Sequence, residues 1–232
     1  MDHKFEHLHF DECESTQLIL RTKLDECGEN LDLLVSSNHQ TSGRGRSGNK
    51  WESVENSIAM SFIIDPNPEL TLTSLELGAL ICLYFKKEDL CLKWPNDILN
   101  SKGMKCAGIL CQTYQGRVLV GLGLNYGTST VLEKSDEFKF GRSYITDTKI
   151  TSSEVKAISE DLYLFITNNR LDQSTTTHSW NHYCTHIDQH VEVRDNTNNQ
   201  TGIFKGIGSK GEALLDDKGT LKNIYSGSLF LN

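Results

Sequence analysis

The sequence predicts an α+β fold: a mixed, mainly antiparallel sheet flanked by helices, followed by a small C-terminal β-barrel. Three observations carry the prediction. Strand-like runs between Leu90 and Asn125 follow one another across turns too short for a crossover helix, which makes them antiparallel neighbours. Helical patterning is gathered into a few segments beside that sheet instead of alternating with it strand by strand, which separates α+β from a doubly wound architecture. After about Ile187 the texture changes to short strands cut by Asn, Gly and Asp turns. The boundary is therefore set between residues 1–185 and 186–232.

Taken in order, Glu6–Asp11 alternates apolar and polar residues and reads as a strand. Ser15 and Thr16 then open a helix whose apolar positions Ile19, Leu20, Leu24 and Cys27 share a face, and Gly28 closes it. Leu33–Ser36 is a short apolar strand leading into the loop-forming run SNHQTSGRGRSGNKW. Ser57–Ile64 is a strand stopped by Pro66 and Pro68, and Thr71 is expected to cap a nearly apolar, central helix through Phe85. Leu90–Trp94, Asp97–Asn100, Lys105–Tyr114 and Arg117–Asn125 are strands. Thr151 and Glu154 form a capping box for a helix with Val155, Ile158, Leu162 and Phe165 on one stripe. HVEVRD, GIFKGI, EALLDD and LFLN are the short strands of the barrel, and Trp180 reads as a packing residue.

Composition narrows the function classes. The 232 residues carry 23 basic and 31 acidic side chains, a net charge of −8, which argues against a general nucleic-acid binder and a polybasic membrane anchor. The longest run free of both charge and strong polarity, Leu77–Phe85, falls well short of the roughly 20 apolar residues of a membrane span. No apolar segment near Met1 suggests a secretion signal. The seven cysteines include no CxxC pair, and several lie in apolar runs, so they read as reduced, buried thiols in a cytoplasmic protein. No protein-built zinc site is expected.

Chemistry concentrates in a few motifs. Gly43–Trp51, GRGRSGNKW, puts Arg44, Arg46 and Lys50 on a glycine-rich loop of an otherwise acidic chain. Backbone donors and guanidinium forks of this kind suit carboxylate or phosphate oxygens, though a solvated basic turn would look the same. No GK[ST] ends the loop, so it is not a Walker A motif. KWPND at Lys93–Asp97 combines a scarce Trp and Pro with a cation, an amide and a carboxylate. Asn96 can present both a donor and an acceptor to a base edge, and the bland alternative is an Asx turn. Lys105 begins KCAGIL, where a lysine is most often merely exposed. Gly121 and Gly123, in GLGLN ending at Asn125, suggest close approach of a ligand or of another backbone. Ser15, Thr16 and Gln17 serve equally well as a helix cap.

In this order the motifs resemble those of the biotin protein ligases, the biotin–[acetyl-CoA-carboxylase] ligases. STQ at 15–17, Gln40 with GRGRSGNKW, KWPND, KCAGIL at 105–110 and GLGLN at 121–125 match that family's signatures. GIFKGI, GEALLDD and SGSLFLN resemble its small SH3-like domain, so the likeness covers nearly the whole chain. The resemblance implies the mixed sheet of the class II aminoacyl-tRNA synthetase/biotin ligase-like folds. It also implies a two-step reaction, in which biotin and ATP give biotinyl-5′-AMP and a lysine amine of a biotin carboxyl carrier protein then takes the biotinyl group. The carrier belongs to acetyl-CoA carboxylase or a related carboxylase.

The resemblance also implies roles. Arg44, Arg46 and Lys105 neutralise the biotin carboxylate and the α-phosphate. Ser15, Thr16, Gln17 and Gln40 hold the ring end of biotin, with Gly43, Gly45 and Gly108 in close backbone contact. Trp51 lies against adenine, Asn96 and Asn125 read its edge, and Arg46 and Lys105 serve the nucleotide as well. Asp97 accepts or orients a proton of the attacking amine. The basic loop is expected to be mobile when empty and to fold over the adenylate, excluding water. Magnesium is expected on the phosphates, with no protein ligand nominated.

This chain also departs from the family's pattern. Gln17 replaces the usual Asn, Ser47 and Asn49 stand where relatives often hold arginines, and Ser228 and Asn232 replace the Glu and Arg of the terminal motif. The first strand starts at Glu6, so the monofunctional type is expected, with no DNA-binding segment, no repressor role and no membrane partner. Oligomeric state stays open, a homodimer included. The rival readings are a lipoate-type protein ligase, a non-catalytic biotin-binding sensor and, more distantly, an RNA-binding module of the RGG type.

Overall fold

The computed structural model of the chain describes residues 5–28, 32–128, 141–195 and 198–231; Asn232 of the terminal motif lies outside them. In chain order the elements are β1 (Glu6–Cys13), α1 (Thr16–Cys27), β2 (Leu33–Gln40), β3 (Ser57–Ile64), α2 (Thr73–Tyr84), β4 (Cys91–Lys93), β5 (Asp97–Leu99), β6 (Lys105–Tyr114), β7 (Arg117–Asn125), α3 (Ser152–Asn168), α4 (Gln173–Tyr183), β8 (His190–Arg194), β9 (Asn199–Ile207), β10 (Ala213–Asp217), β11 (Thr220–Ile224) and β12 (Ser228–Leu231). They form two compact units that interleave along the chain. Unit 1 holds the described residues of Met1–Pro66, Cys106–Thr130 and Tyr144–Asn169. Unit 2 holds those of Asn67–Lys105, Val131–Ser143 and Arg170–Asn232.

In unit 1 the strands run in the order β1-β2-β3-β7-β6. β1 and β2 are parallel and every other pair is antiparallel, so the sheet is mixed and mainly antiparallel. Alternation along the strands gives it two unlike faces. On one face Ile58, Met60, Phe62 and Ile64 of β3 stand level with Leu124, Leu122, Val120 and Val118 of β7. Here α3 packs, with Tyr163 edge-on to Phe62 at 5.3 Å between ring centroids. On the other face Ile63 is level with Leu119, and both join Leu20 and Leu24 of α1, Leu33, Val35 and Tyr114 in a buried cluster. Further along the same face the pairs become Ser61 with Gly121, Ala59 with Gly123, and Ser57 with Asn125. The strands thus pass from bulky residues beneath α1 to a floor of small ones beside its N-terminus.

Unit 2 contains the β4–β5 hairpin, α2, α4 and an antiparallel sheet of order β11-β10-β9-β8-β12, which matches a small barrel-like domain. The Trp180 ring meets Phe204 edge-on at 6.2 Å, and Asn181 exchanges two hydrogen bonds with the backbone of Ile207, fixing α4 on β9. Trp94, 2% exposed, donates its indole N–H to the carbonyl of Gly211 at 3.0 Å. The Trp94–Pro95 peptide is cis.

Several expectations need correction. Thr71 does not cap α2: the chain makes a short 3-10 turn over Leu70–Leu72, Thr71 bonds to the carbonyl of Lys210, and the helix begins at Thr73. Cys27 is exposed and Ile19 only half-buried, because the buried line of α1 is Thr16, Leu20 and Leu24. The buried stripe of α3 is Val155, Ser159, Leu162, Tyr163 and Ile166, leaving Ile158 and Phe165 half-buried. Periodicity favoured the apolar pair, yet Ser159 satisfies its hydroxyl on the Val155 carbonyl at 2.7 Å and Tyr163 bonds to Asp32, so both are buried without an unmet polar group. α4 and β11 were not anticipated. α4 buries only Thr176 and Trp180, too few apolar positions to create a period, although its Asp172 cap, accepting from the Thr175 N–H at 2.7 Å, was a readable start signal.

Candidate active site

The small-residue floor of unit 1 carries a buried polar cluster. Ser15 caps α1 by accepting from the N–H of Leu18 at 3.4 Å, the plain helix-cap use of that residue. Thr16, 2% exposed, donates its backbone N–H to Gln40 Oε1 at 2.9 Å and its hydroxyl to the same oxygen at 3.1 Å. The Thr16 hydroxyl also lies 2.8 Å from that of Ser61 on the floor. Gln17 reaches back over Gly121, its amide nitrogen 3.5 Å from the carbonyl of Leu110. A Cβ on Gly121 would come within 3.4 Å of that nitrogen. The start of α1 and the end of β2 are therefore joined by side chains around a shallow surface of Ala59, Gly121, Gly123 and Gly108, Gly108 being level with Gly123.

The basic loop is a narrow hairpin. Trp51 N donates to Gly43 O at 3.0 Å, Arg44 pairs with Lys50, and Gly45 N donates to Asn49 O at 2.7 Å. At its tip Ser47 and Gly48 take φ of 53° and 80°. Arg44 and Lys50 are exposed and Arg46 is half-buried. Gly43 is needed by contact: a Cβ there would fall 2.7 Å from the Trp51 carbonyl and 3.1 Å from the Gln40 amide. The half-buried Trp51 ring lies across Gly123. The sequence reading expected a ligand or another backbone close to GLGLN; at Gly123 the structure places a side chain there instead, the Trp51 indole. Asn125, 2% exposed, ends β7 and accepts from Ile145 N at 2.9 Å.

Unit 2, taken by itself, carries a buried charge cluster. Lys93 Nζ is 3.0 Å from Asp97 Oδ2 and Lys105 Nζ is 2.6 Å from Asp97 Oδ1. Lys93 and Asp97 are each 3% exposed at the side chain, Lys105 15%. Burial alone would raise the Asp97 carboxyl, but the two ammoniums, Lys105 before Lys93, outweigh it and hold the group below its ordinary range. The cluster gathers two cations on one anion in a largely dry setting. Lys105 is fixed further by its backbone, which donates to Gly141 O at 3.1 Å and accepts from Ser143 N at 2.8 Å. Asn96, half-buried, sits between Pro95 and Asp97. Lys93 and Ser61 belong to these arrangements without having been nominated; the alternate small residues of SIAMSFII were the available signal for Ser61.

Two other clusters invite a catalytic reading and fail it. Glu160, His7 and Ser36 are linked at 2.7 Å and 2.7 Å like a hydrolase triad, but Ser36 is fully buried and its hydroxyl also bonds His9 at 2.8 Å. The second is the spacing His-x-x-x-His, which occurs at His178/His182 and His182/His186. Among the described residues, however, no group of three or more His, Cys, Asp or Glu could hold a metal ion. All seven cysteines are free thiols, and among the described residues no helix is long and apolar enough to cross a membrane.

Comparison with known proteins identifies the family of the chain. Residues 12–129 match the biotin/lipoate A/B protein ligase family, and residues 186–231 match the biotin protein ligase C-terminal domain. The chain is 30% identical over 219 residues to the bifunctional ligase/repressor BirA of Bacillus spizizenii, a match covering 85% of this chain and 66% of that protein. It is 32% identical over 110 residues to a biotin–[acetyl-CoA-carboxylase] ligase of Mycobacterium tuberculosis, covering 42% and 41%. Among solved structures, the biotin protein ligase of Aquifex aeolicus in complex with biotin and ATP superposes with a TM-score of 0.75 at 24% identity, over 98% of both chains, and so has the same fold.

Proposed function

Because the chain belongs to the biotin/lipoate A/B protein ligase family, we propose that it activates biotin with ATP and transfers the biotinyl group to a lysine of a carrier protein. In the first step a biotin carboxylate oxygen bonds to the α-phosphorus, the bond to the bridging oxygen breaks, and pyrophosphate leaves. In the second the lysine nitrogen bonds to the biotinyl carbon, AMP leaves, and the amine loses its proton. The single observation that carries this reading is the buried Lys93–Asp97–Lys105 cluster, two ammoniums on one carboxylate. Two anions must meet in the first step, and fixed cations in a site of low dielectric lower the barrier most. Each charge-assisted hydrogen bond is worth about 1.5–3 kcal/mol.

The same reading assigns Lys105, with Arg44 and Arg46 of the hairpin, to the carboxylate and α-phosphate oxygens. Ser15, Thr16, Gln17 and Gln40, with Gly43, Gly45 and Gly108, take the biotin ring end, and the Thr16–Gln40–Ser61 bonds support this by holding those donors in place. Trp51, Asn96 and Asn125 take adenine. Asp97 orients ammonium groups instead of accepting a proton, because a carboxylate held low by two cations is a weak base. The hairpin closes over the adenylate to exclude water. The described residues supply no metal-binding cluster, so magnesium would arrive on the phosphates and no step is assigned to it.

The acceptor in this reading is a biotin carboxyl carrier domain, in keeping with the acetyl-CoA carboxylase in the name of the Mycobacterium relative. The match over residues 186–231 supports 1–185 as the catalytic region and 186–232 as the SH3-like domain. The free thiols and the use of ATP fit a cytoplasmic setting. The decisive experiment incubates the chain with ATP, magnesium, a carrier domain and either biotin or lipoate. A biotin-dependent gain of one biotinyl group in the intact mass of the carrier is expected. A lipoyl adduct alone, or biotin binding without adenylate, would overturn the assignment.

A further inference from the structure

We propose that His7 and His9, with Ser36 between them, form a site for one proton that clasps α3 to β1 and β2. The site is independent of the biotin reaction, and all of its groups lie in unit 1. Five hydrogen bonds run end to end as a relay. Glu160 Oε1 is 2.7 Å from His7 Nδ1, His7 Nε2 is 2.7 Å from Ser36 Oγ, and Ser36 Oγ is 2.8 Å from His9 Nδ1. His9 Nε2 is 3.1 Å from Ser152 Oγ, and Ser152 Oγ donates to Asp11 Oδ1 at 2.5 Å. Each bond needs one hydrogen. Two neutral imidazoles and two hydroxyls supply one each, four for five bonds, and ionised carboxylates at the two ends supply none. The relay is complete only when it holds one proton more.

That proton satisfies every bond from either ring. With His9 as the imidazolium, its Nε2–H donates to Ser152 and its Nδ1–H to Ser36, Ser36 donates to His7 Nε2, and His7 Nδ1–H donates to Glu160. With His7 as the imidazolium, its Nε2–H donates to Ser36, Ser36 donates to His9 Nδ1, and His9 Nε2–H donates to Ser152. Asp11 on β1 and Glu160 on α3 flank the rings with negative charge, Lys156 of α3 opposes them, and β2 faces them with Ser36 and Asn38, neither of which titrates. Burial pushes both imidazoles down, and the charge of His7 pushes His9 further, which excludes a second proton. The first is retained because it alone completes the relay. Ser36 is fully buried at the centre, where an unmet bond is costly, while Asp11 at one end is exposed and gives the proton a way in and out. Without the proton one bond must open, and the longest, from His9 to Ser152, is the weakest.

The test follows the imidazole nitrogens of the full chain by NMR from about pH 8 to about pH 5, the range in which histidines titrate. His7 and His9 are expected to share one midpoint and to take up about one proton between them. Two variants then separate hydrogen count from charge. Asp11→Asn supplies the missing hydrogen from its own amide, so all five bonds form around two neutral rings. Ser152→Ala keeps the Asp11 charge but leaves three bonds for the three hydrogens of His7, Ser36 and His9. Asp11 is exposed and Ser152 half-buried, so neither change opens the core. In both variants uptake by the pair over the same range should fall below about half a proton. Separate midpoints in the wild-type chain, or uptake of two protons there, would overturn the assignment. So would uptake that falls in Asp11→Asn yet persists in Ser152→Ala, since charge alone would then account for it.

Discussion

Glu76 and Asp97 are buried carboxylates of the same unit, and they differ in the cations they receive. Glu76, wholly buried on α2, accepts from Arg170 Nε at 2.7 Å and Nη2 at 2.9 Å, from Leu171 N at 2.8 Å and from Asn67 Nδ2 at 3.1 Å. One guanidinium and two amides make a closed knot that ties α2 to the chain beyond α3. Asp97 instead receives two ammoniums, from Lys93 and Lys105. A carboxylate saturated by one guanidinium fork and two amides is a structural tie, whereas two ammoniums gathered on one carboxylate are an arrangement that can meet a further anion. A buried ion pair is thus informative about function through its composition, not through its presence.

Breaking the closed pair should give the largest change. Glu76→Ala leaves Arg170 and two amide donors facing an empty buried position and should cost about 3–5 kcal/mol in denaturant unfolding, with the specific activity of the molecules that remain folded unchanged. Breaking the open cluster should do the reverse. Lys105→Ala leaves a neutral Lys93–Asp97 pair, so stability should change by less than about 1 kcal/mol, whereas biotin-dependent pyrophosphate release should fall about 10²–10³-fold. Normal release from the folded variant would remove Lys105 from the reaction.

The cluster's neighbourhood adds a pH prediction. His186, 1% exposed, is pushed down to about 4, first by burial and then by Lys93. Neither of its ring nitrogens has a hydrogen-bond partner among the described residues. A histidine lowered by folding binds fewer protons than in the unfolded chain, so stability is lost as pH falls from 6.5 towards 4, by up to about 3 kcal/mol. Asp97 has the opposite history: its contribution is complete above the ordinary carboxylate value of 3.8 and is lost only in stronger acid. His186→Phe should therefore flatten the stability profile between pH 6.5 and 4 and leave activity at pH 7 intact. An unchanged profile would place the acid sensitivity elsewhere. The smallest effect is expected in unit 1. Thr151→Ala removes the side-chain half of the capping box of α3, in which Thr151 Oγ1 accepts from Glu154 N at 3.4 Å, and should cost about 1 kcal/mol in thermal unfolding with no kinetic change.

Legibility in the sequence followed the range of the interactions. The strands Ser57–Ile64, Lys105–Tyr114 and Arg117–Asn125 and the Thr151 cap are local patterns and appear where expected. Helix α4 was hidden because Trp180 alone supplies most of its apolar contact. Lys93 was visible as a letter of KWPND, but nothing local says that it shares Asp97 with Lys105 across 12 positions. Glu76 was lost inside an apolar helix, since its partners Arg170 and Leu171 lie nearly a hundred residues away.

Residue order alone determined the fold class, the family and the chemical types gathered here, because periodicity, turn chemistry and short motifs act between neighbours along the chain. Which cation meets which carboxylate, and which glycine makes room for which ring, was decided only by the tertiary structure. Those outcomes depend on strand register and on atoms a few ångströms apart in space, and a linear sequence does not state either.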